Sequence, residues 1–406
     1  MRLRSRGIIG AAISTVVLGN VAVLSTALAA HAAAAPVVIG VDHAPPGGHN
    51  FEYVDFFPRG GVQVHTGDVV AFNWGASPDG LHTVTLLKAG ESPAAAWQST
   101  PVAVPDGDDG SHALQFNPAI GGPSQPPAGS GAPGACGNTA TPCTYDGTKT
   151  LNSGANPTNG SASFVATINA PAGTTLNFVC LVHPGMAGSL QVVPATTAAS
   201  TASSVQSAAA AQAAQDTSGA LAAETAASAT TNTVDASGHR TVTATAGAAT
   251  PNVEIAEFLP GQLSIGVGDN VHWVTRTIKD IHTVTFPSGT HAADVLPAVC
   301  EGSGSTDPPL AGPPTSCPGG PANFETHLVP GPFGSNTISS TSQVASSGLL
   351  ANPPAPFPGS VTYTFNTAGS FSLFCHIHEN AMKASVLVQA ASTVATPVTA
   401  QPHFTG

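Results

Sequence analysis

One stretch of this 406-residue chain occurs twice, so any fold assigned to it must be built twice. Residues 50 to 87 read NFEYVDFFPRGGVQVHTGDVVAFNWGASPDGLHTVTLL, and residues 252 to 286 read NVEIAEFLPGQLSIGVGDNVHWVTRTIKDIHTVTF. Asn50, Glu52, Phe56 and Pro58 match Asn252, Glu254, Phe258 and Pro260, and Gly67-Asp68 matches Gly268-Asp269. His82-Thr83-Val84-Thr85 matches His282-Thr283-Val284-Thr285. A period of about 200 residues is far too long for a solenoid and means two homologous domains.

Inside each copy the apolar residues alternate, as in VQVHTGDVVAFNW and LSIGVGDNVHW, with Gly-Asp marking a turn between two runs. Period two with turn signals predicts antiparallel hairpins, so the chain reads as all-β with one β-sandwich in each half. Between the HTVT strand and the closing strands each half carries a Gly/Pro-rich insertion, about 89 to 160 and about 287 to 358, expected to form surface loops. Residues 195 to 249 are rich in Ala, Ser and Thr, hold no aromatic residue, and are expected to be a flexible linker with at most a short Ala-rich helix. The domains are therefore placed at 36 to 194 and 250 to 390, with a disordered tail from 391 to 406.

Residues 1 to 35 open with Arg2, Arg4 and Arg6, continue as an apolar run and end in small residues such as Ala27-Leu28-Ala29. That is the pattern of a secretory signal peptide. The run is also long enough to span a bilayer, so an uncleaved anchor stays open, and nothing later looks transmembrane. The expected location is secreted or extracytoplasmic, where disulfides persist. Net charge is −12, or roughly −15 once the three leading arginines are gone, which argues against nucleic acid and anionic lipid as partners.

Of 6 cysteines, Cys136 and Cys143 lie in the first insertion and Cys300 and Cys317 in the second, and two local disulfides are expected. Cys180 and Cys375 remain, one per half, each ending an apolar strand. Alone they could be buried small hydrophobes or a bridge between the halves. Their company says more. Residues 178 to 188 read FVCLVHPGMAG and residues 374 to 384 read FCHIHENAMKA, so Cys180, His183 and Met186 are followed in kind by Cys375, His378 and Met382. The chain holds only 3 methionines, including Met1. A thiolate and two imidazoles in a trigonal plane with a long axial thioether suit copper in both oxidation states and single-electron transfer. One loop can supply three of these ligands; His82 and His282, each opening a Thr-Val-Thr run, are the natural donors of the second imidazole.

The succession G-D-x-V, H-T-V-T and C-x2-H-x2/3-M resembles the cupredoxin family, the small blue copper proteins such as plastocyanin, azurin and amicyanin. The resemblance covers 36 to 88 with 161 to 194, and 250 to 286 with 359 to 390. It implies Greek-key β-sandwiches, each with one type 1 copper held by His82, Cys180, His183 and Met186, and by His282, Cys375, His378 and Met382. It also implies electron exchange with a redox partner protein or small molecule, with the loop histidine usually nearest the surface. The remaining histidines (His43, His49, His65, His112, His239, His272, His291, His327 and His403) share no spacing and are read as surface or structural.

Two such domains in one chain also raise copper-dependent oxidoreductases. A laccase-type oxidase needs about eight imidazoles for three more coppers, and the one His-x-His here, His376-Ile377-His378, already spends His378. A nitrite reductase places a histidine directly before the type 1 cysteine, where this chain has Val179 and Phe374. His376, directly after Cys375, is the one suggestive residue. The reading is an electron carrier rather than a catalyst, with copper storage or delivery as a further alternative.

Overall fold

The computed structural model describes residues 35 to 390 apart from 75–81, 98–102, 106–111, 116–122, 127–130, 156–162, 182, 290–297, 301–323, 329–333, 353–356 and 379–380. The leader, the tail and Cys317 therefore lie outside the described residues. Among the described residues no helix is long and apolar enough to cross a membrane.

Each half is a pair of mixed sheets, and the strand orders of the two halves correspond position by position. In the first half one sheet runs Phe56–Phe57, Val37–Val41, Val69–Trp74, Ser163–Ile168, Cys143–Tyr145. The facing sheet runs Leu151–Ala155, Thr83–Leu86, Thr175–Val179, Ala187–Val192, Val62–Val64. In the second half the corresponding sheets are Val253–Leu259, Arg240–Ala249, Asn270–Arg276, Ser360–Phe365, Thr337–Ile338, and Ala345–Ser346, Thr285–Phe286, Gly369–Phe374, Lys383–Gln389, Gln262–Gly266. Val37–Val41 lies parallel to Val69–Trp74, and Arg240–Ala249 lies parallel to Asn270–Arg276.

Alternation builds these layers. Val62–Val64 and Gln262–Gly266 bury every second residue, and the inward sets of both sheets merge into one core per half. Phe56, Phe72 and Phe178 meet edge to face in the first core, with centroids 4.8 to 6.4 Å apart, a favoured aromatic geometry. Trp273, Tyr363 and Phe286 do the same in the second. The Gly-Asp turns work alike too. Asp68 Oδ2 accepts from the amide of His65 at 2.7 Å and Asp269 Oδ2 from that of Gly266 at 2.8 Å, with Gly67 and Gly268 at φ 96 and 89°, the region glycine enters without steric cost.

Three sequence expectations need correction. The insertions are not only loops. Cys143–Tyr145 pairs parallel with Ser163–Ile168, and Leu151–Ala155 pairs with Thr83–Leu86. Thr337–Ile338 and Ala345–Ser346 take the corresponding places in the second half. Short edge strands tolerate such composition because side chains fasten them. Ser153 Oγ accepts from the Val84 amide at 2.9 Å, and Ser347 Oγ accepts from Val284 at 2.8 Å. The Cys136–Cys143 disulfide forms as expected and fastens the first edge. The insertions also meet each other, since Phe324–Leu328 pairs with His112–Gln115.

The second correction concerns 195 to 249, which is no flexible linker. Ala202–Ala227 is a helix capped by a reciprocal Thr201–Ser204 pair, a device that satisfies two amides with no intrahelical partner. The third is that the second domain starts before residue 250, because Arg240–Ala249 is an interior strand of its sheet.

The two halves lie within one compact unit and share a seam. Phe51–Tyr53, from the first half, pairs antiparallel with Val253–Leu259, extending the second half's sheet, in the register Tyr53↔Val253, Glu52↔Glu254, Phe51↔Ile255. Residue 52 matches residue 254 in the repeat, so equivalent segments pair with each other around Glu52–Glu254. This is the arrangement of an isologous, two-fold interface. The helix Ala202–Ala227 covers the seam, with Ala213, Ala220 and Ala227 packed on Phe51, Tyr53, Phe57, Val253, Ile255 and Leu259.

Candidate metal centres

In each half the site forms at the end of the sandwich where the Thr83–Leu86 or Thr285–Phe286 strand meets the loop after the Cys-bearing strand. Cys180 follows Thr175–Val179, and Met186 precedes Ala187–Val192. The Cys180 amide donates to the Met186 carbonyl at 3.0 Å, extending the ladder one pair into the loop, and Met186 N–H donates to the His183 carbonyl, also at 3.0 Å. Cys375 N–H donates likewise to the Met382 carbonyl at 3.0 Å, but here the Ala381 amide closes the turn on His378 at 2.8 Å. The one extra residue of the second loop is thus absorbed between the turn and the Cys–Met pair.

The ligand atoms converge. In the first site His82 Nδ1 and His183 Nδ1 are 3.1 Å apart and lie 3.8 and 3.7 Å from Cys180 Sγ. In the second, His282 Nδ1 and His378 Nδ1 are 3.2 Å apart and lie 3.8 and 3.6 Å from Cys375 Sγ. The centre of either triangle is about 2.1 Å from its corners, close to the length of an imidazole–metal bond. His82, Cys180, His282 and Cys375 are fully buried, and Met186 and Met382 are buried against the same cores as the cysteines. Two imidazole nitrogens and a thiolate in a triangle, with a thioether carried by the same loop, are the donor set of a type 1 copper site. The residues present fit that ion, once in each half. Cys180 and Cys375 are free thiols, one in each core, so neither bridges to the other.

Supporting contacts repeat as well. Thr83 N–H donates to Cys180 Sγ at 3.4 Å and Thr283 N–H to Cys375 Sγ at 3.3 Å. The hydroxyl of Thr83 accepts from the Leu181 amide at 2.8 Å, and that of Thr283 accepts from His376 at 2.9 Å. The Thr after each His therefore fixes the cysteine from both sides, a role the HTVT repeat carried without revealing. His376 itself is buried and packs edge-on against Phe374, ring centroids 4.5 Å apart; its side chain belongs to neither triangle.

The outward nitrogens of all four imidazoles face carboxylates. His82 Nε2 lies 3.5 Å from Asp42 Oδ2 and 3.7 Å from Glu52 Oε1, and His183 Nε2 lies 3.5 Å from the same Glu52 oxygen. Asp280 Oδ2 lies 2.9 Å from His378 Nε2 and 3.9 Å from His282 Nε2. Burial opposes charge at Cys180, Cys375, His82, His378, Asp280 and Glu52, and proximity overrides it at all but the last. Cys180 is held well below the usual thiol range against burial by hydrogen bonds and charge from His183 and His82, and Cys375 is brought to about 5 the same way by His282 and His378. Against burial, Asp42 and Cys180 lift His82 to about 10, and Asp280 and Cys375 lift His378 to about 11. Asp280 stays below the usual carboxylate range, held there by His378 and His282, whereas burial wins at Glu52 and raises it. The cation that the thiolate attracts as protons on imidazole is the charge a metal supplies more compactly.

Asp42, Glu52 and Asp280 were not singled out in the sequence. The Glu52–Glu254 match was visible in the repeat, and Asp280 stands two residues before His282, but a carboxylate brought beside an imidazole by the fold leaves no local signature. The loop histidine is the more exposed imidazole of each pair, His183 at 9% and His378 at 7% against 0% for His82 and His282, though neither opens widely to water. Of the other histidines, His49 pairs with Glu224 at 2.9 Å, His65 contacts the Thr197 carbonyl and His272 the Thr362 hydroxyl. These are structural roles; His291 and His403 lie outside the described residues.

No protein-family model matches this chain, and no curated protein does. Among solved structures it is similar to amicyanin from Paracoccus versutus, at 17% identity over 33% of this chain and 74% of that one, with a TM-score of 0.17. It is similar to oxidised plastocyanin from Dryopteris crassirhizoma, at 15% identity over 36% of this chain and 99% of that one, with a TM-score of 0.19. It is also similar to auracyanin A, a "blue" copper protein from Chloroflexus aurantiacus, at 17% identity over 37% of this chain and 98% of that one, with a TM-score of 0.18.

Proposed function

We propose that this chain is a two-site blue copper protein of Greek-key cupredoxin architecture that carries single electrons. The observation that carries the reading is the pair of buried Nδ1–Nδ1–Sγ triangles, alike to within 0.1 Å on every edge. When bound there, copper supplies a one-electron couple whose two states both accept this donor set. The chain does the rest. His82, His183, His282 and His378 would hold the metal through Nδ1, with carboxylates 2.9 to 3.9 Å from their opposite nitrogens, where such groups orient ligand rings. Cys180 and Cys375 present thiolates, each steadied by one backbone amide. Met186 and Met382, buried beside the cysteines, would add weak thioether donors. The rigid strand pair behind each loop holds these groups in one geometry and so limits reorganisation between oxidation states.

The acidic, arginine-led chain with a signal-like start and a disulfide supports work outside the cytoplasm, with a redox partner protein or small molecule as the electron source or sink. The deciding experiment is a visible absorption spectrum and copper count on wild type beside Cys180→Ser and Cys375→Ser. The expected result is a blue thiolate-to-Cu(II) band with two coppers per chain, each variant losing about half of both. Absence of the band in copper-loaded wild type would overturn the reading. Turnover of nitrite or phenols with more than two coppers would replace it with the oxidoreductase alternative.

A further inference from the structure

The two triangles do not face away from one another. Glu52 Oε1 sits 3.5 and 3.7 Å from the outward nitrogens of both first-site imidazoles. The same carboxylate shares a cluster with Asp280 and His378 in which ligand atoms all lie within 4.8 Å of one another. Asp280 Oδ2 in turn lies 2.9 Å from the outward nitrogen of His378 and 3.9 Å from that of His282. A single, largely shielded group of two carboxylates, 12% and 11% exposed, therefore stands between four ligand imidazoles, two from each site.

Its position follows from the seam. Glu52 lies on the strand that the first half adds to the second half's sheet, at the centre of the pseudo-two-fold pairing. Its own partner there, Glu254, turns away to accept from the amides of Ile278 and Lys279 at 3.1 and 2.7 Å. That contact braces the 278 to 280 turn and so places Asp280.

We propose that Glu52 is a positioning residue for both metal sites and that the two sites are one linked unit: the metal held in one half sets the orientation of the carboxylates that stand beside the ligands of the other. This rests on reading both triangles as type 1 copper centres. The physical argument is direct. An imidazole bound through Nδ1 becomes a stronger Nε2–H donor and needs an acceptor. Here the carboxylates for the two sites are neighbours in a seam largely shielded from solvent, where charges act on each other more strongly than in water. Any change in charge at one site is felt by the shared carboxylates and passed to the other, and such coupling is reciprocal.

The test uses the full chain. Cys180→Ser leaves only the second site able to give a blue band, and Cys375→Ser leaves only the first. Glu52→Gln is then added to each, and copper affinity, the visible band and the electron paramagnetic resonance spectrum of the surviving site are compared. Glu52→Gln is expected to shift both spectra and to weaken copper binding at both sites by about tenfold, the usual cost of losing a partner behind a ligand. Asp42→Asn, which faces His82 alone among the ligands, should alter the first site directly and shift the second less than Glu52→Gln does, because it reaches that site only through the shared carboxylates. Glu52→Asp should restore part of each signature.

A second-site band and affinity unmoved by Glu52→Gln in the Cys180→Ser chain would overturn the linkage while leaving the copper reading intact. No band in either single-site chain would overturn both. Should Glu52→Gln fail to fold, wild type and Cys180→Ser suffice: equal second-site copper affinity with the first site filled or disabled overturns the linkage, and a several-fold difference supports it.

Discussion

At the scale of single residues, the halves solve one steric problem in two ways. Asp42, directly after Val37–Val41, and Gly247, at the register shift inside Arg240–Ala249, fall at corresponding places, with φ 66 and 75°. A left-handed backbone is rare for a residue with a side chain. At 247 a Cβ would stand 2.0 Å from His282 Nε2, so only glycine fits. At 42 a side chain is present and its carboxylate turns to His82. Gly247→Ala should therefore expel His282 from its triangle. The expected outcome is loss of about half the bound copper and half the blue absorbance, with first-site signals retained. Unchanged copper content by metal analysis would show that the seam yields more easily than the distances imply.

At the scale of elements, the helix Ala202–Ala227 shows why part of the fold was illegible. The eight proposed ligands could be read from sequence because copper chemistry demands scarce residue types at fixed spacing, and the repeat showed them twice. The helix and the strand Arg240–Ala249 carry the opposite signature, being built from Ala, Thr, Ser and Gly with little amphipathic contrast. Their apolar burial is supplied by large partners, Phe51, Tyr53 and Phe57 among them, which read in sequence only as part of the first domain. Small residues allow a helix to approach a sheet closely, and this one is further fixed by polar contacts from both halves. Asp216 accepts from Arg59 at 2.9 Å and from Asn252 at 3.1 Å, and Gln212 donates to the Phe56 carbonyl at 2.8 Å. Ala220→Leu, at a position with no exposed surface, should overpack the seam and destabilise the chain by about 1 to 3 kcal/mol. Urea denaturation of the metal-free protein measures this. A flexible linker would give no change.

At the scale of the whole molecule, the seam collects buried carboxylates and so makes stability depend on pH. Glu254 has no exposed surface, and burial, reinforced by Asp280, raises it from 4.5 to about 8. Between those values the folded chain keeps a proton that the unfolded chain releases, so stability falls as pH rises. The contribution is fully present below about 4.5 and gone above about 8. Metal-free Glu254→Gln should accordingly show a flatter loss of denaturation midpoint between pH 5 and pH 8 than wild type. Parallel curves for the two proteins would assign the proton to another group.

The pairing of Phe51–Tyr53 with its own counterpart across the seam has one more consequence. Two separate sandwiches joined through so short a strand pair would part on dilution, because association would depend on protein concentration. Written into one chain and bound down by the capped helix, each half meets the other at an effective concentration that no dilution can lower. The molecule is in this sense a dimer that cannot dissociate, and whatever passes between its two ends does so equally well in a crowded compartment and in a nearly empty one.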